Sequence, residues 1–326
     1  MCDENQHITV CKEESDTRNR MVQAGLFPNC NGACDFCLRE ERLFYDKPRI
    51  LQSLEMVGKN IQYLDFTKEF TCGVSLLGGE VYFMTDPDYQ EAFMKLIDII
   101  IEHVLKKSPN PYVKYSTVTN GNYDPTFLYK VIDKIVAEVG IQAVDINFSY
   151  DLKYRFKSEE HRLRVLKNIN DFHKRYNYRV GVQMILTQYI IDMWKRGEFE
   201  VNKFIEENIP GNNLCFLYPH PVKTGLVLPD FNFKRFDLLK FVRYLKKENE
   251  FVYASFVEST KNSAVFKYTL MRDRTKITDY TQRPELSDGK DIINTKCGHS
   301  VLYKCYSDCD NCMLCDLMMI DGGEHI

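Results

Sequence analysis

Three cysteines fall within eight residues near the N-terminus, in the run Asn29-Cys30-Asn-Gly-Ala-Cys34-Asp-Phe36-Cys37. Five more fall within nineteen residues near the other end: Cys297, Cys305, Cys309, Cys312 and Cys315. Disulfide frameworks belong to small secreted domains that lack a core, whereas tight thiol clusters in a chain of 326 residues read as metal ligands. The first run is spaced three residues, then two. A cubane iron–sulfur cluster takes four thiolates as a rule, so three from one compact loop leave an iron open to an exogenous ligand. Gly32 lets such a loop fold tightly. Structural zinc wants four protein ligands in pairs, which three thiolates without a histidine supply poorly. At the C-terminal run both metals stay open. The Cys309-x-x-Cys312-x-x-Cys315 spacing suits a cluster, with Cys305 or Cys297 as fourth ligand, and any four of the five suit zinc.

Polar groups also gather where apolar runs end. Leu76-Leu77-Gly78-Gly79-Glu80 closes one such run, with two glycines that allow close backbone approach to a ligand and a carboxylate at the end. Thr117-Val-Thr119-Asn120-Gly121 closes the next and offers hydrogen bonds to a ribose or an amino acid, or else is a plain Asn-Gly turn. Asn147-Phe-Ser149-Tyr-Asp151 closes the one after, with Arg155 just beyond.

The C-x-x-x-C-x-x-C loop after a first strand, with an aromatic residue before its last cysteine, resembles the signature of the radical S-adenosylmethionine superfamily. The likeness extends over roughly residues 21–220. It implies that Cys30, Cys34 and Cys37 bind a [4Fe–4S] cluster, that S-adenosylmethionine occupies its open iron, and that Phe36 lies against the adenine. It further implies that Gly78, Gly79 and Glu80 bind the methionyl amino group. Thr119 and Asn120 join the cofactor site, and Ser149 and Asp151 match an S-x-D pattern that holds the ribose. By the same analogy Arg155 pairs with the cofactor carboxylate, a role suited to a planar guanidinium; the plain alternative is a solvated arginine at a helix start. The C-terminal cysteines are loosely similar to auxiliary-cluster extensions of the SPASM or twitch type, which favours a second [4Fe–4S] cluster over zinc. The implied activity is reductive cleavage of S-adenosylmethionine to a 5′-deoxyadenosyl radical that takes hydrogen from a substrate, with a flavodoxin- or ferredoxin-type protein as electron donor. Three substrate classes stay open: a peptide side chain, a nucleotide or nucleic-acid base, and a sugar. A non-catalytic iron–sulfur or zinc protein, acting in electron transfer or as an interaction module, is the competing expectation.

These residues need elements to carry them. Short apolar runs of strand length recur at Met21–Phe27, Gly73–Leu77, Val113–Val118, Ala143–Ser149, Arg179–Leu186 and Leu214–Tyr218. Between them lie amphipathic stretches of helical length at Arg49–Ile61, Tyr89–Lys106, Thr126–Glu138, Glu159–Tyr176 and Ile191–Asn208. Apolar strands alternating with helices predict a parallel sheet covered by helices, and right-handed crossovers curl it. Six units fall short of the eight of a closed barrel, so the expected α/β fold is a partial (β/α)6 TIM-like barrel, ahead of a doubly wound sheet. Residues 1–20 read as a polar arm, 21–224 as the barrel and 225–326 as an extension. That extension holds a helix at Phe236–Glu248, an apolar run at Phe251–Phe256, a connector at Asp273–Asp291 and the cysteine-rich module.

Composition excludes some partners. Lys and Arg total 43 against 46 Asp and Glu, so no global positive field draws in a nucleic-acid backbone. One basic stretch, Arg162 to Arg179, reads as the solvated face of a helix. No apolar run reaches membrane-spanning length, and reduced thiols point to the cytoplasm.

Overall fold

Each of the six apolar runs becomes a strand, and each strand feeds a helix. The computed structural model describes residues 20–32, 34–37, 45–63, 66, 71–217, 230, 233–257, 277–279, 293–294 and 300–301. The strands are β1 (Arg20–Gly25), β2 (Thr71–Leu77), β3 (Lys114–Thr119), β4 (Val144–Ser149), β5 (Gly181–Ile185) and β6 (Asn213–Leu217). All neighbours among them pair in parallel. Their spatial order, β6-β5-β4-β3-β2-β1, is the sequence order. A doubly wound sheet reverses its order at a switch point. None occurs here, so the sheet is wound in one direction, as a barrel segment is. It does not close, because β6 and β1 do not pair among the described residues. This is the expected partial barrel.

The helices are α1 (Lys47–Tyr63), α2 (Pro87–Ile100), α3 (Thr126–Val139), α4 (Glu159–Tyr176), α5 (Gln188–Lys195), α6 (Val201–Asn208) and α7 (Arg235–Glu248). Helix α4 has the bounds its sequence predicts, because both ends are marked. The Ser158 hydroxyl accepts the His161 N–H at the start, and Asn177 adopts the left-handed conformation at the end. The expected helix Ile191–Asn208 is instead two helices, α5 and α6, parted at Gly197 with φ +74°. Apolar residues continue across that break, Trp194 and Phe199 among them, which is why periodicity alone joins the two. Helix α2 stops short of Lys106 and passes into a π turn over Ile101–Leu105. The apolar run at 251–256 lies in a helical stretch, 250–257.

One strand appears where a connector was expected. A short β7 (Ile277–Asp279) pairs antiparallel with β1, Val22 opposite Asp279 and Ala24 opposite Ile277. It covers backbone donors and acceptors that β1 would otherwise leave open at the sheet edge. Burial alternates along β4: Val144, Ile146 and Phe148 are buried, while Asp145, Asn147 and Ser149 are half-buried. Phe148 meets Phe172 of α4 edge-on, ring centres 6.2 Å apart, so the apolar residues face the helices and the polar ones the barrel interior. Met184 of β5 is fully buried, the expected core role. Among the described residues no helix is long and apolar enough to cross a membrane. Cys297, Cys305, Cys309, Cys312 and Cys315 lie outside the described residues, as does most of the N-terminal arm.

Candidate functional site

The cysteine loop is fastened to the end of β2 by backbone. Beyond β1 the chain runs on through Phe27 and Asn29, and Gly79 N–H donates to Phe27 O at 2.6 Å while Glu80 N–H donates to Asn29 O at 2.8 Å. A Cβ on Gly79 would sit 1.8 Å from Asn29 O, and one on Gly78 would sit 2.6 Å from Phe27 O. The space left by both missing side chains is thus taken up by contact between two protein segments. The side chain of Asn29, buried at the loop's entrance, donates to Tyr45 O and accepts from Tyr45 N–H, both at 2.9 Å. That reciprocal pair ties the two ends of the loop together.

Cys30, Cys34 and Cys37 are half-buried on this loop. The Cβ position that Gly32 lacks is 3.3 Å from Cys30 Sγ, so a side chain there would crowd that sulfur, and 3.8 Å from Cys34 Sγ, an ordinary contact. Three donors from different parts of the chain address these sulfurs. Gly32 N–H lies 3.2 Å and Asn120 Nδ2 3.6 Å from Cys30 Sγ, and Arg155 Nη1 lies 3.5 Å from Cys34 Sγ. Burial pushes the Cys34 thiol above its ordinary pKa, and the charge of Arg155 works against that rise. Cys37 and Cys30 both act electrostatically on Cys34, which places the three thiols in one neighbourhood. Among the described residues no three His, Cys, Asp or Glu side chains form a cage for a metal ion. A cluster makes a different demand, since each thiolate binds its own iron and the sulfurs stand farther apart than around one ion. Thiols from one loop, met by N–H donors from the residue after β3 and from the β4–α4 loop, fit the negatively charged sulfur of such a group.

Glu80 organises the floor. It is 1% exposed, its Oε2 accepts from Asn120 N–H at 2.6 Å and from the Thr119 hydroxyl at 2.9 Å, and its Oε1 accepts from Tyr82 N–H at 3.2 Å. Burial raises its pKa to about 7 despite those donors. At neutral pH it is thus no fixed negative end. Asn120 Nδ2 also donates to Asn31 Oδ1 at 2.8 Å, and Asn31 Nδ2 to Asn122 O at 2.6 Å, gripping the cysteine loop. The Asn-Gly pair is a turn as well, Gly121 having φ +64°. A further use, which spacing does not signal, is as a clamp between Glu80 and the cysteine loop.

At the end of β4 the structure brings Asp151 and Arg155 to the same place. Asp151 Oδ1 accepts from Ile185 N–H at 2.8 Å, and Oδ2 accepts from Arg155 Nε at 2.5 Å. The Arg155 side chain is 12% exposed and its guanidinium lies 5.0 Å above the ring of buried Phe36. A solvated arginine at a helix start is excluded by this burial. Ser149 is half-buried on the interior face.

No protein-family model matches the chain, and no curated protein does. Among solved structures it is similar to native anSMEcpe with bound AdoMet and a Cp18Cys peptide, at 17% identity and TM-score 0.46, over 77% of this chain and 65% of that one. The same protein with a Kp18Cys peptide gives 18% and 0.47, over 77% and 66%. SuiB of Streptococcus suis gives 14% and 0.40, over 72% and 48%. The chain spans less than two thirds of the length of each of these.

Tyr154 is a site residue that no sequence signal marks. Its φ of +70° is rare for an aromatic residue, its carbonyl accepts Asp35 N–H at 3.1 Å inside the cysteine loop, and its hydroxyl bonds Asp230. Asn29 and Asn31 were visible within the cysteine run but unassigned, because a loop-closing amide has no fixed spacing. The basic stretch on α4 is largely offset: Arg162 pairs with Glu159, Arg164 with Glu160, Lys167 with Asp171 and Arg175 with Asp133.

Proposed function

We propose that the chain is a radical S-adenosylmethionine enzyme. The observation that carries this reading is the gathering of three thiols on one strand-end loop, with Asn120 and Arg155 directed at two of the sulfurs. Cys30, Cys34 and Cys37 would hold the group. A [4Fe–4S] cluster with an open iron supplies, when bound, the electron that splits S-adenosylmethionine to methionine and the 5′-deoxyadenosyl radical. Around it the chain's residues orient and shield. Phe36 offers a buried ring edge to an adenine, and Ser149 offers a hydroxyl on the interior face to a ribose. Gly78 is exposed, so its backbone is open to a methionyl amino group. The polar interior face of β4 leaves the barrel mouth to a substrate with hydrogen-bonding groups.

Further parts of the reading are held by the sequence alone. A flavodoxin or ferredoxin delivers the electron in the cytoplasm, and the C-terminal cysteines take a second [4Fe–4S] cluster or zinc. Metal analysis of a Cys30/Cys34/Cys37 triple variant separates those two. The offset charges on α4 weaken the case for a nucleic-acid substrate bound there.

The test is anaerobic reconstitution with iron and sulfide, then dithionite and S-adenosylmethionine. The expected products are methionine and 5′-deoxyadenosine, and Cys34→Ala abolishes both. A protein that loads iron and sulfide fully yet binds no S-adenosylmethionine is instead a non-catalytic iron–sulfur protein.

A further inference from the structure

The guanidinium of Arg155 is committed on three sides. Its Nε is held by Asp151 at 2.5 Å, its plane lies over Phe36 and its Nη1 is directed at Cys34 Sγ, 3.5 Å away. Asp151 is itself fixed, because its other oxygen accepts the Ile185 N–H at the end of β5. Both carboxylate oxygens are thus engaged with protein, which makes Asp151 an anchor for the arginine. Its neighbour Tyr154 adds a backbone bond to Asp35, so the loop after β4 meets the cysteine loop at adjacent positions on each side. A guanidinium held this way cannot swing from the sulfur without breaking a buried ion pair.

We infer that Arg155 is a positioning residue that raises the reduction potential of the cluster by donating to the Cys34 sulfur, with Asp151 fixing its aim. The inference rests on the radical S-adenosylmethionine reading above. Reduction adds one electron, and so one negative charge, to a group ligated by Cys34, with no bond made or broken. A cation donating an N–H to a ligand sulfur stabilises the reduced state more than the oxidised one, and burial strengthens that preference. The ion pair with Asp151 is neutral as a whole, which moderates the cost of burying it, yet its positive end faces the sulfur. Among the described residues the other Nη group makes no hydrogen bond, which leaves it to meet a carboxylate. Tuning and cofactor binding are therefore separable by measurement.

The experiment is a redox titration of the anaerobically reconstituted full chain, followed by electron paramagnetic resonance without S-adenosylmethionine, for wild type, Arg155→Met and Arg155→Lys. Iron and sulfide contents are measured first, and a wild type that holds no cluster ends the functional reading before this inference is reached. With clusters loaded, Arg155→Met is expected to show a roughly tenfold lower ratio of reduced to oxidised cluster at a given potential, about 59 mV for one electron. Arg155→Lys, which keeps the charge but not the fork, is expected to fall between. An unchanged midpoint in Arg155→Met, whether or not S-adenosylmethionine binding weakens, overturns the inference and leaves Arg155 a cofactor ligand or a structural residue. If Arg155→Met loses its iron, Arg155→Lys decides by the same comparison. Loss of iron from both also overturns it, because a tuning residue is dispensable for assembly.

Discussion

Gly79 is the point at which the end of β2 meets the segment that follows β1. The space its missing side chain leaves is taken by Asn29 O, a backbone atom that cannot rotate away. Gly79→Ala is therefore expected to part the cysteine loop from the end of β2. Such a forced shift costs about 1–3 kcal/mol, by analogy with overpacking in cores. Urea denaturation reads the stability, and iron content after reconstitution reads the loop; a variant with wild-type values for both contradicts the contact. That Cys30, Cys34, Cys37, Gly78, Glu80, Asn120, Asp151 and Arg155 stand together at neighbouring strand ends was legible, since each lies at or just beyond the end of an apolar run. Their connections were not. Spacing tells which types stand near a strand end, but whether Asp151 faces a ribose or an arginine depends on side-chain directions that only packing sets.

Elements were legible where their ends carry chemistry. Ser158 and Asn177 bracket α4, and Asp86 accepts the Tyr89 N–H at the start of α2. The break between α5 and α6 had no such mark but a single glycine in a run that stays amphipathic on both sides. Its left-handed φ of +74° is what splits the helix, and nothing stands within 4 Å of the missing side chain. Gly197→Ala accordingly meets no clash and only backbone strain, so the expected loss is about 1–2 kcal/mol. Cluster loading should be untouched. A larger loss in the denaturation midpoint, or a gain, would show that the break is not held by conformation at Gly197. Strand β7 was missed for a related reason: three residues in a charged stretch carry no period, and only the uncovered flank of β1 selects them.

For the molecule as a whole, the strand order was legible because parallel strands joined by helices have few ways to wind. Stability against pH was not, since it depends on how deeply one carboxyl is buried. Glu80 has an ordinary pKa of 4.5 and about 7 in the fold, raised by desolvation. The folded chain thus keeps a proton that the unfolded chain has lost. That contribution to stability is complete below pH 4.5 and fades as pH climbs through about 7. Denaturation of the cluster-free chain at a series of pH values should show wild type losing on the order of 3 kcal/mol across that window. Glu80→Gln, which stays neutral, should lack this fall. Parallel profiles for the two proteins would mean that folding leaves the carboxyl's pKa unshifted.

The Asn29–Tyr45 pair bears on how long the chain between its two residues can be. By joining the residues at both ends, it turns everything between them into a ring whose neck is already closed. Chain inserted in that ring leaves the neck in place and adds only closure entropy, about 0.6 kcal/mol for each doubling. A longer or shorter chain between them is therefore compatible with the same thiol geometry, provided the amide and its opposite backbone partner are retained.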